Sequence, residues 1–428
     1  MFIKVKTNQF IALASSATFR QSALTISTIG VNGILGALFF IYIARMMGPA
    51  EYGLFTIGIA TLTLLADIAD FGTNTGLVRF VPGYLKQDPS NAYRMLKLGL
   101  EVKACLWLVV LLAGFLLAPF FATNIFGKPE LLFPLQLSLI GVGGAMFYTY
   151  IQSALQAFEK FRYWSLINIF TNGLRLSIAL FIGLLASLGL TQTLLIYIGI
   201  PFVGFLLGCS FLPIKKIIKT KNEQKVLNNF ISYNSYIGLF TIIAAVTTRI
   251  DVYLAAKFLN PEQVGIYGAA IQLTSFIPQI MGGLGVVVAP KFASFTSQAQ
   301  MWVYFKKLQL LVLGVAAIFL IGSPLAGYLI PIFYGDKFAF LPTIFYFYLT
   351  AMLVYLISVP VHTVIFYYFA RPQLFIYISL GHLILLLGLG TVLTINFGLI
   401  GLTLAVIAGM VFNFVVPLFY VLMRLKQK

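Results

Sequence analysis

The chain has 428 residues, 60% of them hydrophobic and only 9% charged, and a mean hydropathy of +0.98, whereas a soluble domain is about a quarter charged. A water-soluble globular protein is excluded, and the whole chain reads as membrane-embedded. The 28 Lys and Arg against 11 Asp and Glu leave a formal net charge of +17, which in a soluble protein would point to nucleic acid; in a membrane protein its meaning depends on where the charges fall.

The first 16 residues (MFIKVKTNQFIALASS) start basic but lack an apolar core with a cleavage site, and read as a retained interfacial lead-in. A spanning helix needs about 20 mainly apolar residues. Breaking the chain at charged and Pro/Gly/Asn clusters predicts about twelve spans, with cores at 20–44, 52–74, 104–126, 131–157, 165–188, 192–214, 231–256, 264–289, 308–333, 340–366, 374–395 and 399–423. The two cysteines (Cys105, Cys209) and two histidines (His362, His382) lie in apolar runs and supply neither a disulfide framework nor a metal cluster, so no metal and no cofactor is expected.

Polar groups inside a bilayer cost about 2.5–3.5 kcal/mol each when charged and normally face a cavity or a partner, so they should outline a functional path. Arg20 stands at the edge of the first span. In the second, Thr63, Asp67, Asp70 and Asn74 fall on one helical face. Two carboxylates one turn apart suggest a proton or cation site; the other reading is that Asp70 pairs with Arg79 or caps the helix end near Gly72. The fifth span carries Asn168, Asn172 and Arg175 as a stripe, with pairing of Arg175 to a buried Asp as the alternative to ligand binding. In the seventh, Arg249 and Asp251 are two residues apart and point in different directions, so they are poor partners. Gln272, Ser275 and Gln279 make a stripe in the eighth span, interrupted by Pro278, which predicts a kink.

Cytosolic loops hold the excess of Lys and Arg. With both termini cytosolic that side collects 22 basic residues, counting all of 75–103 and 215–230 as loop, against four (Arg45, Lys128, Lys257, Lys337) on the other. The orientation follows, and the +17 becomes a topology signal that also attracts anionic lipid headgroups, with no nucleic-acid partner implied.

The chain also repeats itself. Ala44-Arg45-Met46-Met47-Gly48-Pro49-Ala50-Glu51-Tyr52-Gly53-Leu54-Phe55 is matched 212 residues later by Ala256-Lys257-Phe258-Leu259-Asn260-Pro261-Glu262-Gln263-Val264-Gly265-Ile266-Tyr267. Six spans separate the two copies, so both halves keep one orientation, as in parallel-repeat transporters. The predicted organisation is a six-helix lobe at 1–214, a basic cytosolic linker at 215–230 and a second six-helix lobe at 231–428.

With this turn, with Asp70-Phe71-Gly72 and with Val78-Arg79-Phe80 after the second span, the chain resembles the polysaccharide-transporter branch of the multidrug/oligosaccharidyl-lipid/polysaccharide exporter superfamily, which includes the O-antigen flippases. The resemblance implies an all-α integral membrane protein with two six-helix lobes in a V around a central cavity. It also implies alternating access and passage of a polyprenyl-diphosphate-linked oligosaccharide from the cytosolic to the outer leaflet of the cell membrane. On that view Arg20, Asn168, Asn172, Arg175, Arg249, Gln272 and Gln279 would bind substrate. Asp67, Asp70 and Asp251 would couple ions. Membrane lipids and polysaccharide polymerase or export proteins would be partners. Arg20 has an equal reading as an interfacial anchor. Two other functions are open: an ion-coupled small-molecule or multidrug exporter of the same superfamily, and a membrane glycan polymerase. Against an enzyme, the longest non-spanning stretch, 75–103, holds only Asp88 and Glu101 as acids, with no paired-carboxylate site and no Gly-rich phosphate cradle.

Overall fold

A backbone in hydrocarbon has no water to bond to, so its N–H and C=O groups must be satisfied within helices or a closed barrel; here they are satisfied within helices. The computed structural model describes residues 17–221, 223, 238, 241–371 and 373–426, and among these there is no strand. The interfacial lead-in, the end of the basic linker and the start of the seventh span fall outside the described residues.

The helices, in order, are α1 (Ala17–Asp70), α2 (Thr73–Gln87), α3 (Pro89–Phe120, continued by a single π-turn over Phe121–Ile125), α4 (Leu132–Ala157), α5 (Phe161–Leu185), α6 (Leu190–Cys209) and α7 (Ile214–Lys219). The second half has α8 (Ile250–Phe258), α9 (Pro261–Thr274), α10 (Phe276–Ala293), α11 (Gln298–Tyr334), α12 (Leu341–Thr363) and α13 (Leu374–Lys426). Among the described residues, nine helices are long and apolar enough to cross a membrane. Two of them fold back on themselves. In α1 the reversal is at Gly48, whose φ of 76° is a left-handed conformation that side chains resist, and Phe40 and Phe55 on the two arms come within 6.3 Å, centroid to centroid. In α13 it is at Gly398, φ 58°. Counting each arm gives eleven crossings among the described residues; of the expected twelfth, the seventh span, only residue 238 and residues 241–256 are described.

Three predicted boundaries shift. The second span stops at Asp70, where Phe71 and Gly72 both take left-handed backbone (φ 45° and 76°), so Asn74 begins a new helix and leaves the face shared by Thr63 and Asp67. The stretch 75–103 is not a loop: it is α2 and the first turns of α3, joined at Asp88, whose carboxylate caps α3 by accepting from the Ser90 amide at 3.0 Å. Within α3, Lys103 is fully buried, so it does not belong to the loop charges that set orientation. The helix is interrupted at Ser275, between α9 and α10, three residues before Pro278, whose ring cannot donate a backbone bond. The seventh span is broken as well: residues 241–247 are helical, a turn intervenes at 248–249, and α8 resumes.

The two lobes meet at the end opposite the basic loops. Gly53 and Gly265, equivalent positions of the repeat, pack backbone to backbone: a Cβ on Gly53 would lie 1.9 Å from the Pro261 carbonyl oxygen, and one on Gly265 would lie 1.8 Å from that of Pro49. Cations finish the seam by capping helix C-termini, where carbonyls lack partners. Arg45 donates to the Ile332 carbonyl at 2.7 Å and to that of Phe333 at 3.3 Å. Its repeat equivalent Lys257 donates to Ile125. Lys128 donates to the carbonyls of Ala256, at 2.6 Å, and Leu259; partial burial lowers the pKa of this ammonium, opposed by nearby Glu130. Towards the basic end Gly30, Gly36, Gly282, Gly283 and Gly285 have open space where a Cβ would go, while Gly238 stays against the Phe71 ring of the other lobe, 2.6 Å from where its Cβ would be.

Gly53→Ala should force the seam apart and destabilise this closed form by about 1–3 kcal/mol, the usual cost of overpacking. Spin labels on Ala50→Cys and Glu262→Cys would read a longer distance than in the parent protein; an unchanged distance would show that the glycine contact does not hold the seam.

Candidate functional site

Just inside this seam the lobes enclose a cavity of about 380 Å³, walled by the second arm of α1, Tyr197 of α6, residues 248–252 around the break before α8, Gly268, Ile271 and Gln272 of α9, and Tyr348 of α12. The break before α8 turns Arg249 across the interface. Its Nη2 lies 2.8 Å from Asp67 Oδ2, its Nε donates to Thr63 Oγ1 at 2.8 Å and its Nη1 to Thr248 Oγ1 at 3.1 Å. One guanidinium of the second lobe is thus held by two side chains of the first. Arg249 lines the cavity and Asp67 remains half exposed, so the pair is not sealed in the core.

Asp70 belongs elsewhere. Lys103 Nζ reaches its Oδ1 at 2.5 Å with the lysine fully buried, and its Oδ2 accepts weakly from the Asn74 amide at 3.4 Å. The partner is therefore Lys103, not Arg79. The two carboxylates expected to repel on one face each have a cation of their own.

On α5, Arg175 has no carboxylate partner among the described residues, contrary to the alternative of a buried Asp. It lies over the Tyr197 ring, 4.4 Å from its centroid, and 5.7 Å from that of Phe39, with a long bond of 3.4 Å from Nη1 to Asn172 Oδ1. Its buried Nε has no acceptor. Because Tyr197 also walls the cavity, Arg175 is an uncommitted cation one ring away from it. Asn168 is fully used in packing: its Nδ2 donates to Gln152 Oε1 at 2.6 Å and to the Trp164 carbonyl at 2.8 Å, and its Oδ1 accepts from Tyr148. That leaves the amide with little bonding capacity for a ligand. Asn172 donates to the Asn168 carbonyl at 3.0 Å.

Asp251 lines the cavity yet is buried, accepting from Tyr267 Oη at 2.5 Å and from the Val252 amide at 2.8 Å. Gln272 reaches the same cavity, whereas Gln279 faces Gly33 of the first span, 3.5 Å from where its Cβ would be. Arg20 is remote from this cavity, at the basic end. Among the predicted residues, then, Asp67, Arg249, Asp251 and Gln272 converge, Arg175 stands beside them, and Asp70, Asn168, Gln279 and Arg20 do not join. The sequence reading missed Lys103 and Tyr197. Lys103 opens an apolar run and looked like a flanking charge; nothing in a periodicity marks the ring that holds Arg175.

The model of the family described as polysaccharide biosynthesis protein matches residues 19–296. No curated protein sequence matches the chain. Among solved structures, the inward-facing conformation of a multidrug resistance MATE family transporter of the MOP superfamily superposes with a TM-score of 0.73 at 14% identity, covering 94% of this chain and 98% of that one. Lipid II flippase MurJ in an inward closed conformation gives 0.72 at 16% identity, over 93% and 87%. The outward-facing MATE conformation gives 0.60 at 15% identity, over 95% of each chain, so the arrangement of lobes here is more like the inward forms. These likenesses establish the two-lobed transporter fold.

Removing one member of a buried ion pair strands the other charge at a cost of about 3–5 kcal/mol, whereas removing both is far milder. Lys103→Met should therefore lower thermal stability in detergent sharply, and Asp70→Asn added to it should restore most of the loss. Failure of the double variant to recover would show that the lysine acts through packing and not through Asp70.

Proposed function

Because the chain belongs to the polysaccharide biosynthesis protein family, we propose that it is a flippase that carries a polyprenyl-diphosphate-linked oligosaccharide from the cytosolic to the outer leaflet of the cytoplasmic membrane, with both termini cytosolic. The observation that carries this reading is the two guanidiniums at and beside one inter-lobe cavity: Arg249, which lines it and is held by a carboxylate that can let go, and Arg175, one ring away with no carboxylate partner among the described residues. A guanidinium fork matches two oxygens of a phosphate, so a diphosphate suits two such forks in one region.

The mechanism follows from competition for Arg249. An arriving diphosphate takes hydrogen bonds that Asp67 now holds, and the released Asp67 becomes free to bind a proton or cation. That exchange removes the ionic tie between the lobes at the centre of the molecule, leaving the outer seam of glycines and helix caps as the remaining closure. When the seam opens and the basic ends come together, the headgroup faces the outer leaflet; its polyprenyl chain stays in the bilayer throughout. An inside-negative potential favours this direction for an anionic headgroup, by about 2.3 kcal/mol per charge per 100 mV. The chain's own residues bind and reorient; no bond of the substrate is made or broken.

In proteoliposomes a fluorescent polyprenyl-diphosphate oligosaccharide should cross between leaflets at least tenfold faster with the protein than without it, and Arg175→Ala or Arg249→Ala should remove most of that gain, with Arg→Lys restoring part. Equal rates with and without protein overturn the flippase reading; retained export of cationic small molecules in the same vesicles would instead support a drug exporter. Asp67→Asn should alter the dependence of transport on an imposed proton or sodium gradient, and an unaltered dependence would confine Asp67 to holding Arg249.

A further inference from the structure

A second cavity, of about 500 Å³, opens at the basic end between the start of α1 and the junction of α4 with α5. Its charged lining is Arg20, Lys160 and Arg162 against a single acid, Glu159. Lys160 is oriented by a bond from Nζ to the Phe211 carbonyl at 2.8 Å, whereas Arg20 and Arg162 have no acidic partner among the described residues. Two guanidiniums left without carboxylates around one recess present the fork geometry that a phosphate group fills.

Resting on the flippase reading, we propose that this recess is a loading site where the diphosphate of the substrate docks at the cytosolic surface before it reaches the central cavity. Arg162 and Arg175 are on the same helix, α5, 13 residues apart, which at 1.5 Å per residue puts about 20 Å between them. At about 100° per residue the two arginines also lie about 140° apart around α5, so the helix joins the two stations in depth and a headgroup leaving Arg20 and Arg162 would pass round it to reach Arg175. The first span lines both stations, since Arg20 borders the recess and Phe39 packs on Arg175. The other lobe has a basic recess of its own, about 400 Å³, lined by Lys291 and Lys307. It holds lysines only, which act as point charges and lack the paired donors of a guanidinium. It is the natural control for charge alone.

The test is the rate at which a fluorescent short-chain polyprenyl diphosphate associates with the full-length protein in phosphatidylcholine nanodiscs, followed by stopped flow. Arg20→Glu with Arg162→Glu should slow association at least tenfold. Lys291→Glu with Lys307→Glu, an identical change in charge, should slow it less than twofold. Arg20→Gln with Arg162→Gln keeps the answer readable if the reversals disturb folding, and should also slow association. Inorganic pyrophosphate should compete with the labelled lipid, whereas adding phosphatidylglycerol to the discs should not; equal competition by phosphatidylglycerol would make the recess a general anionic-lipid surface and overturn the proposal. Equal slowing by the arginine and lysine reversals would overturn it too. If the parent protein neither binds nor moves the lipid, the flippase reading falls with it. If the parent does both and the arginine variants associate as fast, only the loading site falls.

Discussion

Everything at the end opposite the basic loops depends on a crossing that contains no side chain. Gly53 and Gly265 each sit against the carbonyl of the other half's proline, Pro261 and Pro49, so the two copies of the repeat touch at equivalent points and the pseudo-two-fold axis of the molecule passes between them. Around that axis the same chemistry recurs: Arg45 caps the end of α11, and Lys257, its counterpart, caps the end of α3. Bonds of this kind, from a mobile ammonium or guanidinium to a helix-end carbonyl, can be exchanged for bonds to water at small net cost. The closure is therefore geometrically specific and energetically shallow, which suits the opening proposed there.

The charges buried among the spans are sorted by whether their partners lie in the same lobe. Asp70 with Lys103, and Asp251 with Tyr267, are held within one half and move as part of it. Among the described residues Asp67 with Arg249 is the ion pair that crosses between halves, so rocking of the lobes about the glycine seam would strain it. Asp67 is half exposed and Arg249 lines the cavity, so a ligand or water can take the place of either member, which a sealed pair would not allow without a large desolvation cost.

Span number, the six-plus-six repeat and the identity of the seam residues were legible in the sequence because each is written many times over: apolar runs of about 20 residues and a motif recurring at a fixed offset. The sequence also marked Arg249 and Asp251 as poor partners, and each indeed bonds elsewhere, Arg249 to Asp67 and Thr63 and Asp251 to Tyr267. What it could not show was pairing at a distance. Lys103 is 33 residues from Asp70 and opens the apolar run of the third span, so its depth was invisible until α2 and α3 folded back against α1. Asn168 looked like a ligand group because the Gln152 and Tyr148 that saturate it come from another span. Asn74 fell off its predicted face because two successive left-handed residues, one of them the non-glycine Phe71, ended the helix early.

The Lys103–Asp70 pair has a bearing on how the chain enters the membrane during synthesis. The second span emerges from the ribosome with Asp70 unpartnered, and its neutralising lysine follows only in the next span. A charge inserted alone costs about 2.5–3.5 kcal/mol at the centre of a helix and less at its end, where Asp70 lies, so pairing with Lys103 favours the second and third spans entering lipid together, with Asp67 left to wait for Arg249 of the seventh. The order of residues along the chain thereby schedules the assembly of the first lobe before the second lobe exists.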